Sequence, residues 1–374
     1  MNSRIVMKNL LLAALSLILS LVLLSACSDQ NDIASGPSQE SVGALNKDAK
    51  GLERAMEVQT RNTERFLAKK GIVGTGTGIA EDGTPTIVIF TETQQGKGVI
   101  PENIEGIPVR EEVVGAVEPL SVKGGGQPTA TKKPGTGTST STTTYSTTSR
   151  WPRPVPIGVS TSNWYDCGAA TIGVRVRRGD AFFALSCNHV FSRLNAAAVG
   201  EKILQPGRSD VSCTQTLTDE IGVLADFEPI IFSTMADNYM DAAMISTTTA
   251  QIDNSTPANG YGVPSSTPAT AYVGMPVQKY GRTTGLTKGK VSAINVIIGI
   301  NYAQGAARFV NQIAVQPARK GGDFALAGDS GSLIVTDGDS AQPVALLFGK
   351  SSTTIFGTPI QTVLTRFNVT IDGK

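Results

Sequence analysis

Histidine is almost missing from this sequence, with one in 374 residues, and cysteine is scarce, with four. Sets this small cannot supply the repeated Cys/His ligands of structural zinc sites, so neither a metal nor a cofactor is expected. Charge is also thin: charged residues make up 17% and the formal net charge is +1, which leaves no surplus for gripping a phosphate backbone. Nucleic acid is excluded as a partner on that ground. The apolar run Leu10–Leu24 falls short of the roughly 20 residues that a membrane-spanning helix needs, and small residues rather than a basic flank follow it.

Arg4 and Lys8 precede that run, and it closes on Leu24-Ser25-Ala26-Cys27, the pattern of a secretory signal over residues 1–26. Leu-Ser-Ala-Cys resembles the lipobox of bacterial lipoproteins. The resemblance implies an acylated Cys27 as the mature amino terminus and a protein anchored at the cell envelope. Ser28 after it favours, by the same resemblance, the outer membrane. Each buried methylene is worth about 0.8 kcal/mol, so several acyl chains on one residue hold where a single chain is marginal. An ordinary cleaved signal or an uncleaved anchor is the alternative.

Residues 27–46 are small and polar, as in a tether. From Leu52 to Leu67 apolar residues recur near helical spacing. β-rich runs follow at Ile72–Ile79, Thr86–Thr91 and Ile107–Val114, separated by turn chemistry at Asp82-Gly83 and Pro101. Residues 47–120 therefore read as a small α+β domain, with no cluster that discloses a role. Residues 121–149 are nearly all Gly, Thr, Ser, Pro and Lys, the composition of a flexible linker. From Arg150 to Lys374 short β-branched runs such as Thr171–Val176, Phe182–Leu185, Lys290–Val296 and Ser332–Thr336 alternate with turn residues. Many short strands at close spacing predict a mainly β barrel or sandwich.

Within that segment His189 ends an apolar strand in Ala184-Leu-Ser-Cys-Asn-His-Val190, and Asp241 stands immediately before the apolar run Ala242–Ile245. Ser330 lies in Gly328-Asp-Ser-Gly331, where flanking glycines suit a tight loop that presents a hydroxyl and leaves backbone N–H groups free. Each signal alone has an ordinary structural reading: a satisfied histidine, a polar turn, an Asp before a strand. Together they give His, Asp and Ser in one chain order. An α/β-hydrolase needs Gly-x-Ser-x-Gly and a later histidine; Ser332 replaces the second glycine, and the only histidine comes first, so that fold is excluded for this nucleophile.

Leu185-Ser-Cys-Asn-His189, Asp241-Ala-Ala-Met-Ile245 and Gly328-Asp-Ser-Gly331 resemble the three motifs of chymotrypsin-like serine peptidases. The whole of 150–374, with Lys279-Tyr-Gly-Arg-Thr-Thr-Gly-Leu286, resembles a bacterial secreted trypsin-like subgroup. The resemblance implies a chymotrypsin-like double β-barrel preceded by the small α+β domain. It also implies a triad of His189, Asp241 and Ser330, with an oxyanion hole at the backbone amides of Gly328 and Ser330. In trypsins a carboxylate six residues before the serine selects basic side chains; here Phe324 holds that position as a candidate specificity-pocket residue. Val190 departs from the cysteine that animal trypsins place beside the histidine. With Cys27 acylated, one intramolecular disulfide at most can form. Cys167 with Cys213 is preferred because Cys187, close to His189, suits a small apolar core position; the pairings 167–187 and 187–213 stay open. The function implied is an endopeptidase acting on protein or peptide substrates outside the cytoplasm. The alternative is a catalytically silent binding or adaptor lipoprotein on the same fold. Nothing in the sequence speaks to oligomeric state.

Overall fold

A computed structural model describes residues 39–120, 122–123 and 145–374. The expected signal peptide, Cys27 with its lipid, and most of the expected linker lie outside the described residues. The chain divides into a unit up to Asp48 and a unit from Ala49 to Lys374, and the second carries all the candidate residues except Cys27.

Two mostly antiparallel sheets organise that unit. The first runs in the order Thr370–Ile371, Val174–Arg178, Ala181–Ser186, Ala243–Thr247, Glu220–Phe227, Lys202–Leu204, Ser160–Asn163, Gly168–Thr171 and Val122–Lys123. The strands Gly168–Thr171 and Val174–Arg178 follow one another directly in the chain yet lie near opposite ends of this order, which requires the sheet to curl round on itself. Thr171–Val176, expected as one strand, is broken here at Ile172-Gly173. A side chain at Gly173 would meet the Gly331 carbonyl at 2.3 Å, so the chain turns against the second sheet at a residue with no Cβ. The second sheet contains a ring of Gly305–Pro317, Ile355–Pro359, Pro343–Lys350, Leu333–Thr336, Pro276–Gly281 and Gly285–Tyr302, closed because the last strand also pairs with the first. The architecture is the expected mainly β, chymotrypsin-like double barrel.

The amino-terminal strands do not form a sheet of their own. Gly285–Tyr302 is long enough to pair with Pro276–Gly281 in its first half and, around Ile294–Ile298, with Ile72–Ile79 in its second. Ile72–Ile79 in turn pairs with Pro85–Thr91, which pairs in parallel with Ile107–Val113. The helix Gln39–Leu67 begins inside the stretch expected as a tether, where Gln, Glu, Ala, Leu and Lys favour helix. Its Val58 and Phe66 share an apolar cluster with Ile72, Ile87, Ile89 and Ile104, and Gln59 donates to Thr75 Oγ1 at 2.7 Å. Among the described residues no helix is long and apolar enough to cross a membrane.

The disulfide is Cys167–Cys213, with Cα atoms 5.3 Å apart, and Cys187 is a buried free thiol. Thr147, near the end of the expected linker, is fixed to the fold, since Ser160 donates its amide to the Thr147 carbonyl at 2.9 Å.

Candidate active site

His189 and Asp241 come from the first sheet and Ser330 from the second, so the site lies where the two barrels meet. His189 sits in the single helical turn Asn188–Phe191 that ends the strand Ala181–Ser186, and Asp241 precedes the neighbouring strand Ala243–Thr247. Ser330 precedes Leu333–Thr336. The junction is stitched by backbone bonds from Thr171 N–H to the Ser330 carbonyl at 2.9 Å and from Gly331 N–H to the Leu347 carbonyl at 2.7 Å.

The His189 ring joins the other two side chains. Its Nδ1 is 2.5 Å from Asp241 Oδ2 and its Nε2 is 2.8 Å from Ser330 Oγ. Asp241 is fully buried and accepts two further bonds, from the His189 amide at 3.1 Å and from the Tyr302 hydroxyl at 2.8 Å. A buried carboxylate is tolerated only when its oxygens are satisfied, and these bonds satisfy both. With Nδ1–H donating to a carboxylate, Nε2 is left as the acceptor for the serine hydroxyl, the protonation pattern in which a neutral imidazole can take the serine proton. Burial, and then the Asp241 charge, push the Tyr302 phenol well above its usual pKa, so it remains a donor.

The nucleophile loop is held by its acid neighbour. Asp329 is fully buried and accepts from the amides of Thr283 at 2.8 Å and Leu326 at 2.9 Å and from the Thr284 hydroxyl at 2.7 Å, with Lys279 Nζ 3.7 Å away. Lys279 is buried too; burial pulls its pKa below the ordinary lysine value, with Asp329 opposing that shift. Gly328 has φ of +101° and Gly331 φ of +86°. Added side chains would meet Thr283 Oγ1 at 2.4 Å and Ser186 Oγ at 2.1 Å respectively, so both glycines are dictated by backbone angle and by space. The Gly328 amide points at a peptide carbonyl, that of Leu120, while the Ser330 amide has no acceptor among the described residues. Phe324 is buried in the second barrel in one apolar cluster with Met275, Val277, Ala325 and Leu120.

Cys187, His189 and Asp241 bring three atoms of ligand type within 4.8 Å of one another. The His189–Asp241 hydrogen bond already takes up two of them, and burial followed by the Asp241 charge pushes the Cys187 thiol well above its usual pKa, against the thiolate that a metal requires. The trio fits the hydrogen-bonded arrangement and not a metal centre.

Sequence reasoning named His189, Asp241, Ser330, Gly328 and Phe324; the fold brings the first four to this junction and buries Phe324 within the second barrel. It missed Tyr302, which reaches Asp241 from the far end of the long strand, and the buried Lys279–Asp329 pair. Lys279 stood between Gln278 and Arg282 in a stretch with no local pattern that marks a buried charge. Tyr302 carried no signal either.

The family model described as the Nal1 C-terminal domain matches residues 217–356, a span that includes Asp241 and Ser330 but not His189. No curated protein matches the chain. Solved structures similar to it include Thermobifida fusca protease A, at 19% identity and a TM-score of 0.41 over 59% of this chain and 99% of that one. A glutamic acid specific serine protease described as using a histidine triad in substrate binding is similar at 20% identity and a TM-score of 0.39, over 58% and 100%. Cellulomonas bogoriensis chymotrypsin is similar at 18% identity and a TM-score of 0.39, over 59% and 99%.

Proposed function

We propose that this protein is a serine endopeptidase, lipid-anchored through Cys27 at the bacterial cell envelope and acting on extracytoplasmic proteins or peptides. The observation that carries the chemistry is the unbroken line from Asp241 through His189 to Ser330, with His189 Nε2 at 2.8 Å from the hydroxyl. Ser330 attacks a peptide carbonyl as His189 takes its proton, and Asp241 holds the ring orientation and offsets the imidazolium charge. The tetrahedral oxyanion is met by the amides of Gly328 and Ser330, one such donor being worth about 3 to 4 kcal/mol of barrier. His189 then returns its proton to the leaving amine, and water repeats the sequence on the acyl-enzyme. The apolar cluster around Phe324 suits a large apolar side chain before the cut bond, and the Lys279 ammonium, 5.9 Å from the Phe324 ring, opposes a basic one.

A fluorophosphonate probe is expected to add its phosphonyl mass to the peptide containing Ser330 and to leave a Ser330→Ala chain unmarked. Probe on another serine, or on none in a chain whose cleft is open, sinks the assignment. The anchor is checked separately by intact-mass measurement of the mature protein, which is expected to start at Cys27 and carry fatty-acyl mass; an unacylated amino terminus overturns it.

A further inference from the structure

One segment of the chain lies in the candidate active site itself. Glu118–Pro119 pairs antiparallel with the end of Pro343–Lys350, with Pro119 opposite Gly349 and Glu118 opposite Lys350. Val122–Lys123 pairs antiparallel with Gly168–Thr171 of the other barrel, with Val122 opposite Ala169. Between the two ladders, Leu120 is fully buried in the apolar cluster of Phe324 and Ala325, and its carbonyl accepts the Gly328 amide. Ladder pairing thus ties the chain to one barrel just before Leu120 and to the other from Val122, on either side of the Gly328 amide. Extended backbone added to sheet edges, with a side chain in a pocket, is how a peptide substrate is held. The carbonyl placed at the Gly328 donor is the one whose carbon a serine there would attack.

Resting on the peptidase reading above, we infer that the segment Glu118–Lys123 is this enzyme's own substrate and that Ser330 cuts the bond following Leu120. The Ser330 oxygen adds to the Leu120 carbonyl carbon while His189 takes the hydroxyl proton. The Leu120–Ser121 C–N bond breaks and His189 protonates the departing Ser121 amine. Water then hydrolyses the Leu120 ester, giving a carboxylate at Leu120 and restoring the Ser330 hydroxyl. No oxidant or cofactor enters. Until the cut is made the segment excludes other substrates, because a tethered peptide competes at high effective concentration. The same geometry assigns the preferred substrate class: a large apolar residue before the cut bond, in an extended stretch. The two pieces remain associated afterwards, since Ile72–Ile79 stays paired with Gly285–Tyr302 and Asn301 still donates its amide to the Val117 carbonyl at 3.0 Å.

The test is intact-mass analysis of the purified full chain and of its Ser330→Ala, Leu120→Ala and Leu120→Asp variants, with fluorophosphonate labelling alongside and circular dichroism to verify folding. The wild type is expected to yield two masses that meet between Leu120 and Ser121, at a first-order rate unchanged by hundredfold dilution, and the pieces to co-elute until denatured. Ser330→Ala stays whole. Leu120→Ala, which keeps an apolar residue while deleting several carbons, splits at least about tenfold more slowly. Leu120→Asp stays whole yet labels at Ser330, because its cleft is no longer filled. A wild-type chain that remains whole, or is cut elsewhere, while Leu120→Asp labels at Ser330 overturns the self-cleavage and leaves the peptidase standing. Absence of both splitting and labelling in every folded form overturns the peptidase reading itself.

Discussion

His189→Ala is expected to abolish peptide hydrolysis, lowering kcat by about 10⁶-fold, the loss found when a nucleophile–base pair acts as one unit. The reason is specific to this chain. His189 is its only histidine, so no second imidazole can be recruited as base. Asp241 cannot take over, because its Oδ2 is oriented toward His189 Nδ1 and Tyr302, on the far side of the ring from Ser330. The fold should survive: Asp241 keeps its bonds from the residue 189 amide and from Tyr302, and the change removes one ring from the domain junction. The clean measurement is hydrolysis of a reporter peptide containing Glu-Pro-Leu, made in the Leu120→Asp background so that an uncut segment does not block the cleft. Wild-type rates in the His189→Ala form would mean that the chemistry lies elsewhere.

Asp329→Ala is expected to produce the largest loss of stability among single changes near the site, about 3 to 5 kcal/mol, because it leaves the Lys279 ammonium buried without its counter-charge. The Thr284 hydroxyl and the Gly285 carbonyl, the latter at 3.0 Å, still accept from that ammonium but carry no charge. The amides of Thr283 and Leu326 also lose their acceptor, so the nucleophile loop should loosen and activity fall with it. Two measurements separate this account from simple misfolding. First, Lys279→Met added to Asp329→Ala should recover much of the thermal midpoint, since the orphaned charge is gone. Second, the deficit should shrink as pH rises. Burial holds Lys279 below its unfolded pKa and Asp329 opposes that shift, so without Asp329 the depression deepens. The variant's unfolded form then binds more protons than its folded form over a wider window, and its stability gains more with rising pH than the wild type's, levelling off near the unfolded value of about 10.4. A double variant no more stable than Asp329→Ala would show that the ion pair is not what holds the loop.

Much of the site was legible because its parts are local. A glycine on each side of Ser330 reports a loop that needs positive φ, and the structure gives Gly328 and Gly331 φ of +101° and +86°. A histidine at the end of an apolar strand and an aspartate at the head of another report side chains fixed at one edge of a sheet. Short β-branched runs between turn residues report strands, and most of the expected ones are present, Thr171–Val176 excepted, where the bend at Gly173 is imposed by the Gly331 backbone of the opposite barrel.

Composition misled where it described the chain and not its partners. Val122–Lys123 opens a Gly/Ser/Thr-rich stretch that has no apolar period of its own, yet its backbone pairs with Gly168–Ala169 because ladder hydrogen bonds use N–H and C=O groups and are indifferent to side chains. The strand Ile72–Ile79 has the pattern of an independent small domain, but alternation of apolar residues says that a face is buried without saying against what. Its partner is the second half of Gly285–Tyr302.

By itself, then, the sequence determined the residue types that carry the chemistry, their chain order and the barrel class, since these depend on local backbone permission and on strand-length runs. Tertiary structure alone decided that Tyr302 steadies Asp241, that Lys279 is buried beside Asp329, and that Leu120 lies on the Gly328 amide. Each of those contacts joins chain segments that share no local pattern, and only the closure of two barrels against one another brings them within hydrogen-bonding or charge-pairing distance.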